Sequence, residues 1–372
     1  MIIAVHLSPS SHPTALWEAF SFLAQKKTSL HIIFFTESNQ TNTPKIDLPN
    51  IQYIPIKPLQ SNLRLQYWYQ FQLPSLLKKH QVEVFVSEAG ICSLKTKIPQ
   101  YLWLNNTGFL QHKPLIKLKH DGYRRRHFPK FVKKSNAVLL SYAYMIGQLT
   151  KQYQQNEEKL HFIGSYFTSP FIPIEWKDKE SMLNNLSNGN EYFFCECNSY
   201  TKANITTILK AFSLFKKRMK SGIKLLLLLN DVTLDECVKD FRLYKYREDV
   251  IIKQITDKDY SLATLLAAAY AVIHLPKEIT GKAETGLQAM LTEVPVIGIQ
   301  SAEHLSLYGD AALLTTINEQ SIAEKLMLLY KDELLRTKLI QKGLELSAEY
   351  QLPQMANRLC QTIFTTMPKK EQ

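Results

Sequence analysis

The stretch AVIHLPKEITGKAETGLQAMLTEVPVIGIQSAEHLSLYGD, residues 271–310, decides the fold of this chain. It contains two short apolar runs, 271–276 and 294–299, and each is suited to a buried parallel strand. The segment 283–291 between them is predicted to be a helix. Because a strand, a helix and a second strand in this order form a right-handed crossover unit, the stretch predicts an α/β domain with a parallel sheet.

The junction between the first strand and the helix, 277–284, is the predicted ligand site. Ligands on such sheets collect where the carboxyl ends of strands meet the amino ends of helices. Gly281 would let the backbone approach a ligand closely, and free N–H groups at the helix start favour a phosphate or sugar oxygen. Lys282 adds a mobile positive charge. The sequence therefore predicts that a phosphate or a sugar binds here.

The same stretch resembles the retaining family 4 glycosyltransferases of the GT-B fold. These enzymes carry a Glu-x7-Glu motif whose second glutamate opens a Glu-Ala-Met sequence before a Pro-Val-Ile strand, and this chain has Gln288-Ala-Met290 and then Pro295-Val-Ile297. Alignment on these two segments places Thr280 at the first glutamate and Gln288 at the second. The resemblance implies that both positions contact a nucleotide-sugar donor, with Gln288 at the ribose, but both carboxylates are absent.

Two glutamates flank the position of the lost first carboxylate. Glu278 and Glu284 would each be close enough in sequence to supply a displaced carboxylate to the donor. A surface carboxylate near the amino end of a helix is also favourable without any function, because it interacts with the helix dipole. Both readings stay open.

The resemblance extends into the amino-terminal half and covers roughly Tyr67–Phe364. In the matching subgroup, the strand after a Lys-Ile-Pro segment ends in His-Asp beside the donor sugar, and Asn105 and Asn106 stand at those positions here. Asparagine cannot transfer a proton, but it can hydrogen-bond a sugar hydroxyl. The amino-terminal likeness is carried by Leu73–Lys79, Val82–Ser87, Lys97–Pro99 and Phe128–Lys134.

The family also places two cations beside the leaving diphosphate, one in a Gly-Arg pair and one in a Lys-Asn pair. Lys202 followed by Asn204 is the nearest match, and no arginine stands in the preceding 197–201. A departing diphosphate needs such charges, since each can contribute about 3 to 4 kcal/mol in the transition state. Lys277 and Lys282 are the candidates to replace the missing cation.

The first loop, Ser8–Pro13, differs from the paired-glycine loop of active relatives. It has no glycine and two prolines, which stiffen it. Ser10, Ser11 and His12 would still present hydrogen-bonding groups to a ligand. For His12, as for His274, a satisfied structural histidine is the commoner alternative to an acid or base.

Length and composition fit two globular domains. The 372 residues can bury two cores, and 45% hydrophobic with 21% charged residues is neither a disordered nor a repeat composition. Short apolar runs alternate with longer amphipathic segments, the pattern of doubly wound sheets. The predicted strands are Ile2–Leu7, Leu30–Thr36, Ile51–Ile56, Val82–Ser87, Tyr101–Leu104, Ala137–Ser141, Leu160–Gly164, Tyr192–Cys197, Lys224–Leu229, Val250–Ile255, Ala271–Leu275, Val294–Ile299 and Ala312–Thr315.

We therefore predict an amino-terminal Rossmann-like domain at 1–170, on the acceptor side, and a nucleotide-sugar-binding Rossmann-like domain at 171–350. The segment Phe167–Asn190, rich in Pro, Ser, Asn and charge, is predicted to connect them. Ser321–Gly343 keeps helical spacing. A last helix within 351–372 would cross back to the first domain, as the resemblance implies, and the two domains would face each other across a cleft.

The net charge of +12 is concentrated in the segment 111–134. Tyr123, Phe128 and Phe131 lie among its cations, a composition that suits adsorption to an anionic membrane surface. A solvated charged face and a nucleic-acid contact are the alternatives, although no nucleic-acid-binding signature accompanies the charge. The cations are Lys113, Lys117, Lys119, Arg124, Arg125, Arg126, Lys130, Lys133 and Lys134, against the single acid Asp121.

The remaining signals concern compartment and metals. Five cysteines without paired metal spacing are predicted to be reduced. No apolar run reaches the roughly 20 residues of a membrane span, and the first residues lack the flanks of a signal peptide. We expect a cytoplasmic protein, with peripheral contact at the inner face of the membrane as an open alternative.

Together these features favour a glycosyltransferase that moves a sugar from a nucleoside diphosphate donor to a cell-envelope glycan or a lipid-linked acceptor. Retention of the anomeric configuration is implied by the resemblance alone. No cofactor or divalent metal is expected, and the nucleoside diphosphate sugar is the donor substrate. The alternative is a catalytically silent GT-B scaffold that binds a sugar, a nucleotide or a partner transferase, and an epimerase or phosphorylase of the same fold is a third reading.

Overall fold

The computed structural model describes residues 1–8, 14–38, 46–111, 120–151, 153–167, 171–257, 259–276 and 284–368. The chain divides into two compact units. Unit 1 comprises Met1–Thr168 and Glu349–Gln372, and unit 2 comprises Ser169–Ala348. Each unit is built on one parallel β-sheet flanked by helices, so the fold class is α/β, as the sequence predicts.

The sheet of unit 1 has seven parallel strands in the order β3-β2-β1-β4-β5-β6-β7. The direction of winding reverses between β1 and β4, and this reversal is the topological switch point at which such sheets bind ligands. Its strands are β1 (Ile2–His6), β2 (His31–Glu37), β3 (Ile51–Ile56), β4 (Val84–Ser87), β5 (Gln100–Leu104), β6 (Ala137–Leu140) and β7 (Leu160–Phe162).

The sheet of unit 2 has six parallel strands in the order β10-β9-β8-β11-β12-β13. Its switch point lies between β8 and β11. The strands are β8 (Tyr192–Cys197), β9 (Lys224–Leu229), β10 (Val250–Gln254), β11 (Ala271–His274), β12 (Val296–Ile299) and β13 (Ala312–Thr315). All thirteen apolar runs that predict strands form strands in the described chain, with ends that shift by at most two residues.

The helices cover the faces of the two sheets. In unit 1 they are α1 (Ala15–Lys26), α2 (Asn62–Tyr67), α3 (Leu73–Lys79), α4 (Asp121–Lys134) and α5 (Tyr144–Lys151). In unit 2 they are α6 (Trp176–Ser187), α7 (Ile205–Met219), α8 (Leu234–Cys237), α9 (Leu262–Ala267), α10 (Glu284–Leu291), α11 (Ala302–Tyr308), α12 (Glu319–Lys331) and α13 (Glu333–Ala348). No described helix is long and apolar enough to cross a membrane.

The last helix, α14 (Leu352–Thr366), packs in the core of unit 1. Its fully buried Met355, Leu359 and Ile363 follow a helical spacing and join one apolar cluster with Trp17 and Phe20 of α1. A proline in the first turn of α14 fits a helix start, because the N–H it lacks would be unpaired there.

Two sequence interpretations are corrected by the structure. The segment predicted as a connection contains α6, because Met182 and Leu183 are buried on one face of this helix and Asn188 adopts a left-handed conformation at its end. The helical segment 321–343 belongs to two helices. Asp332 separates them, and its carboxylate accepts the backbone N–H of Leu335 at 2.9 Å, as an N-cap does.

Candidate functional site

The carboxyl edge of the unit 2 sheet, at β8 and α7, positions Lys202. Immediately after β8 the Asn198 side-chain oxygen accepts the backbone N–H groups of Tyr200 and Thr201 at 2.9 and 3.2 Å. The Thr201 hydroxyl donates to the carbonyl of Glu196 at 2.7 Å. These bonds fix the turn that ends β8, so Lys202 lies at the start of the helical segment that continues into α7.

The ammonium group of Lys202 has a weak partner. Its Nζ lies 3.8 Å from Oε1 of Glu236, and both side chains are substantially exposed. Hydrogen bonds from Thr233 hold the pKa of the Glu236 carboxyl below its usual range, so this partner stays ionised. Exposed ion pairs contribute only about 0 to 1 kcal/mol, so a diphosphate can compete for Lys202.

Glu196 is a polar residue of this edge that the sequence interpretation missed. Its side chain is buried at the end of β8, where one carboxylate oxygen accepts the Thr285 hydroxyl at 2.6 Å and the other accepts the Asn230 amide at 2.8 Å. The carboxylate thereby links β8, the end of β9 and the first turn of α10. The sequence did contain a signal for it, namely a charged residue inside an otherwise apolar strand. Charged side chains are rarely buried unless they are paired, so such a residue indicates a specific polar contact.

Helix α10 carries the two described residues predicted to contact the donor. Glu284 is its first residue. Gln288 is one turn further on and 9% exposed, and its side-chain amide makes no hydrogen bond among the described residues. A side-chain amide can donate to a ligand oxygen and accept from a ligand hydroxyl.

A buried cluster supports the end of β11 and the start of α10. His274, the last residue of β11, is 3.0 Å from the Tyr308 hydroxyl through Nδ1. Gly286 of α10 packs against the hydroxyl end of the Tyr308 side chain: a Cβ there would lie 2.8 Å from the ring carbon that bears the hydroxyl. The neighbouring His304 is buried, its Nε2 has no partner, and burial lowers its pKa to about 3. His274 is therefore placed as a hydrogen-bonded structural histidine. The sequence analysis gave this role as the alternative to an acid or base.

Several predicted ligand residues lie outside the described part of the chain. They belong to the loop after β1 and to the loop between β11 and α10. They are Ser10, Ser11, His12, Lys277, Glu278, Thr280, Gly281 and Lys282.

In unit 1, the two predicted asparagines follow β5 at the carboxyl edge of the sheet. Asn105 is exposed and Asn106 is partly exposed. The Asn106 amide donates to the side-chain oxygen of Asn105 at 3.1 Å. Their amide groups are thus placed to hydrogen-bond a ligand at this edge, and neither can take up a proton.

The same edge carries a buried hydrogen-bonded chain at the ends of β1 and β4. Nδ1 of His6 is 2.7 Å from the Tyr69 hydroxyl, which is 2.9 Å from the Ser87 hydroxyl. Burial lowers the pKa of His6 to about 3, so its imidazole is neutral at physiological pH. Its Nε2 is buried without a partner.

Glu88 follows Ser87 directly and faces the loop after β1. Its Oε2 accepts the backbone N–H of Ser8 at 2.7 Å, and Thr14 hydrogen-bonds to the same carboxyl group. Burial raises the pKa of Glu88 to about 7, although hydrogen bonds from Thr14 and Ser8 act in the opposite direction. No sequence interpretation singled out this carboxyl group, and the only signal was its position directly after a buried strand.

The structure corrects part of the prediction for the basic segment 111–134. Phe128 and Phe131 are buried, because the helical period of α4 turns both toward the core, so they cannot make the surface contact predicted for them. Arg124 also turns inward, with its guanidinium 3.9 Å from the centre of the Phe109 ring and 3.5 Å from Asp121. The exposed cations on the described part are Arg126, Lys130, Lys133 and Lys134.

All five cysteines lie in the described parts of the chain. All five cysteines are free and buried, as expected for reduced thiols. Among the described residues, no three His, Cys, Asp or Glu side chains are clustered so that they could hold a metal ion.

No protein-family model and no curated protein sequence matches the chain. Solved structures do match over nearly its whole length. A glycosyltransferase from Rickettsia africae shares 10% identity at a TM-score of 0.74, with 99% of each chain covered. HepE from Anabaena in complex with UDP-glucose shares 13% identity at a TM-score of 0.68, covering 98% of this chain and 100% of that one.

A third similar structure is WaaG, a glycosyltransferase involved in lipopolysaccharide biosynthesis. It shares 14% identity at a TM-score of 0.65, with 97% of this chain and 99% of that chain covered. At such low identity these likenesses show the fold alone. The fold is GT-B, as the resemblance in the sequence implies.

Proposed function

We propose that this protein is a glycosyltransferase that moves a sugar from a nucleoside diphosphate sugar to an acceptor hydroxyl. The observation that carries the proposal is Lys202, a cation at the carboxyl edge of the unit 2 sheet whose only ion-pair partner among the described residues is the exposed Glu236. Gln288 lies on the helix that begins at the same edge. A cation and an amide at the carboxyl edge of one sheet suit the diphosphate and the ribose of a nucleotide.

Each residue has a distinct role in this proposal. Lys202 neutralises the charge that develops on the leaving diphosphate, and such groups are typically worth about 3 to 4 kcal/mol in the transition state. Gln288 hydrogen-bonds the ribose. Asn105 and Asn106 hydrogen-bond hydroxyls of the transferred sugar. No cofactor is part of this proposal, in which the nucleoside diphosphate of the donor is the leaving group.

The acceptor is proposed to be a cell-envelope glycan or a lipid-linked saccharide, on the cytoplasmic side of the membrane. WaaG, a structural neighbour, is involved in lipopolysaccharide biosynthesis. The exposed cations Arg126, Lys130, Lys133 and Lys134 of α4 would favour an anionic membrane surface near the acceptor. Membership of family 4, and with it retention of the anomeric configuration, is proposed from the sequence resemblance.

The test is release of nucleoside diphosphate from a panel of UDP- and GDP-sugars. Lys202→Ala should lower kcat by about 100-fold or more, because the leaving group loses its cation. Lys210→Ala is the matched control: Lys210 is also an exposed lysine of this region, with Nζ 3.9 Å from Glu319, and its loss should leave kcat unchanged. A wild-type protein that releases no diphosphate from any donor would contradict the proposal.

The second candidate is a catalytically silent scaffold that binds a nucleotide, a sugar or a partner transferase. It is favoured by one observation: the buried carboxylate at this edge, Glu196, is committed to hydrogen bonds with Thr285 and Asn230. Saturable nucleotide binding without diphosphate release would select this candidate.

A further inference from the structure

Unit 1 carries a stripe of three large apolar side chains that are open to solvent. The stripe runs along one continuous helical rod, which consists of α2, a π-helical turn (Trp68–Gln72) and α3. Leu63 is 80% exposed, Tyr67 57% and Phe71 59%. The rings of Tyr67 and Phe71 stack with their centres 5.6 Å apart, so these residues form one patch rather than scattered single exposures. We call these three side chains the apolar stripe.

The helical spacing explains why the apolar stripe has no place in the core. The residues two positions further on, Leu65, Tyr69 and Leu73, are buried. Because two residues turn a helix by about 200°, the buried row and the apolar stripe lie on opposite faces of the rod. The core of unit 1 therefore uses one face of the rod and leaves the other face uncovered.

The surroundings of the apolar stripe are positively charged. No acidic residue occurs between Asp47 and Glu83. The segment 57–79 contains four cations, and all four are exposed. These flanking cations are Lys57, Arg64, Lys78 and Lys79. Apolar side chains and an excess of positive charge thus occur together on this part of unit 1.

Two neighbouring segments of unit 1 extend this surface. The side-chain oxygen of Gln70 accepts the backbone N–H of Leu94 at 2.8 Å, and Leu94 is 41% exposed beside the exposed Lys95. His120, at the start of α4, is 2.6 Å through Nδ1 from the side-chain oxygen of Asn62, at the start of α2. The basic helix α4 is thus tied to the helix on which the apolar stripe begins.

The chemistry of this surface indicates what covers it. A second copy of the chain would bring two sets of like charges together. An acidic protein is less suitable, because lysine is depleted at protein–protein interfaces and three of the four flanking cations are lysines. A helix with Leu, Tyr and Phe on one exposed face and lysine or arginine beside them is typical of helices that lie on anionic bilayers.

We propose that the apolar stripe binds the surface of an anionic lipid bilayer. Its three side chains enter the headgroup region, and the four flanking cations contact the lipid phosphates. Such a contact is peripheral and needs no membrane-spanning helix. It would hold unit 1 where a lipid-linked acceptor is found, and in that respect it rests on the function proposed above.

The test is co-sedimentation of the full chain with lipid vesicles, measured without any sugar donor. Vesicles of phosphatidylcholine with about one third phosphatidylglycerol are compared with vesicles of phosphatidylcholine alone, at about 0.1 M salt. Wild type should bind the anionic vesicles about tenfold more tightly or better, because each cation near an anionic surface contributes to binding.

The apolar half of the contact is tested by Phe71→Ser, which removes one inserted ring. Binding to the anionic vesicles should weaken about fivefold or more. Phe364→Ser is the matched control, because Phe364 is a phenylalanine of the same unit that is 50% exposed, and this variant should bind as wild type does. Both variants should keep the wild-type unfolding temperature, since both side chains are exposed.

The charged half is tested by the double change Lys78→Gln and Lys79→Gln. Binding to the anionic vesicles should weaken about tenfold or more. The double change Lys217→Gln and Arg218→Gln, at two exposed positions of α7 in unit 2, removes the same net charge. This control should weaken binding by less than about twofold.

Three results would overturn the assignment. Wild type that does not bind the anionic vesicles would leave a protein partner as the occupant of the surface. Equal binding by Phe71→Ser and Phe364→Ser would show that the apolar stripe does not touch the bilayer, and equal binding by the two charge variants would show that the flanking cations do not. None of these results would alter diphosphate release or its dependence on Lys202, so they are distinct from a failure of the proposed transfer.

Discussion

The two sheets have the same kind of carboxyl edge but opposite chemistry. At the unit 1 edge, Glu88 has a pKa near 7 and is hydrogen-bonded by Ser8 and Thr14. At the unit 2 edge, Lys202 has a weak, exposed partner and Gln288 presents an amide group. The carboxylate there, Glu196, is held by two internal hydrogen bonds.

The comparison shows that the topological switch point determines where a site lies, whereas the side chains at that point determine which ligand or reaction it suits. Parallel strand order puts polar residues at both edges, whatever those residues are. A raised carboxyl pKa suits proton transfer, whereas an available cation suits a diphosphate. In the function that we propose, the unit 2 edge binds the donor and the unit 1 edge binds the acceptor.

The largest expected effect on folding comes from Glu196→Ala. Removal of the carboxylate leaves the Thr285 hydroxyl and the Asn230 amide without their partner, and unpaired buried groups cost about 1 to 3 kcal/mol each. We expect the free energy of unfolding to fall by about 3 kcal/mol, measured by urea denaturation. Glu324→Ala, on the exposed face of α12, should change it by less than about 0.5 kcal/mol. Equal effects of the two changes would show that Glu196 does not hold the unit 2 edge together.

A somewhat smaller effect is expected from Gly286→Ala. The new methyl group would meet the buried Tyr308 side chain, and overpacking of a core costs about 1 to 3 kcal/mol. Gly147→Ala in α5 of unit 1 is the matched control, since nothing lies within 4 Å of its Cβ position. The control should be neutral or stabilising by up to about 1 kcal/mol, because alanine has the higher helix propensity. An alanine at 286 that is equally harmless would contradict the close packing of α10 on Tyr308.

Each unit also contains a buried histidine whose pKa is lowered by burial, His6 in unit 1 and His304 in unit 2. Both have a folded pKa of about 3, below the ordinary value of 6.5, so between these values the unfolded chain binds more protons than the folded one. Stability is therefore lost as the pH falls from about 6.5 toward 3, with a slope of about 1.4 kcal/mol per pH unit for each histidine.

The measurement for this prediction is the pH dependence of urea unfolding between pH 4 and pH 6. His6→Phe and His304→Phe should each reduce the slope of unfolding free energy against pH by about 1.4 kcal/mol per pH unit. This reduction is expected whether or not the substitution changes the absolute free energy of unfolding. An unchanged slope in either variant would mean that the histidine is protonated in the folded state.

Glu88 should act in the opposite direction to the two histidines. Its folded pKa of about 7 lies above the ordinary carboxyl value, so the folded chain binds the extra proton and stability falls as the pH rises from about 4.5 to 7. Glu88→Gln should remove this decrease. The sign of the change, rather than its size, distinguishes Glu88 from the two histidines.

The sequence predicted the framework of both units because strand and helix patterns depend on local apolar spacing. The thirteen runs, α10 and α14 follow directly from such spacing. Helix α6 was missed because its polar composition hides the two buried residues Met182 and Leu183. Phe128 and Phe131 were misplaced because composition does not say which face of a helix a residue occupies.

The candidate site was less predictable, because its key contacts join residues far apart in the chain. The Glu196 carboxylate meets Thr285 across 89 positions, and Ser8 meets Glu88 across 80. A family resemblance points only to positions that match its motif, such as Lys202 and Gln288. Residues outside that motif, such as Glu196 and Glu88, are identified only from the three-dimensional arrangement of the strands.

The central claim is that Lys202 marks a nucleotide site on unit 2, and calorimetric titration with UDP and GDP tests it most directly. The account predicts saturable binding of at least one nucleotide to wild type and to Lys210→Ala, with the affinity reduced about tenfold or more in Lys202→Ala, as expected for loss of one charged contact. Binding that is unchanged in Lys202→Ala, or absent from wild type at millimolar nucleotide, would contradict it.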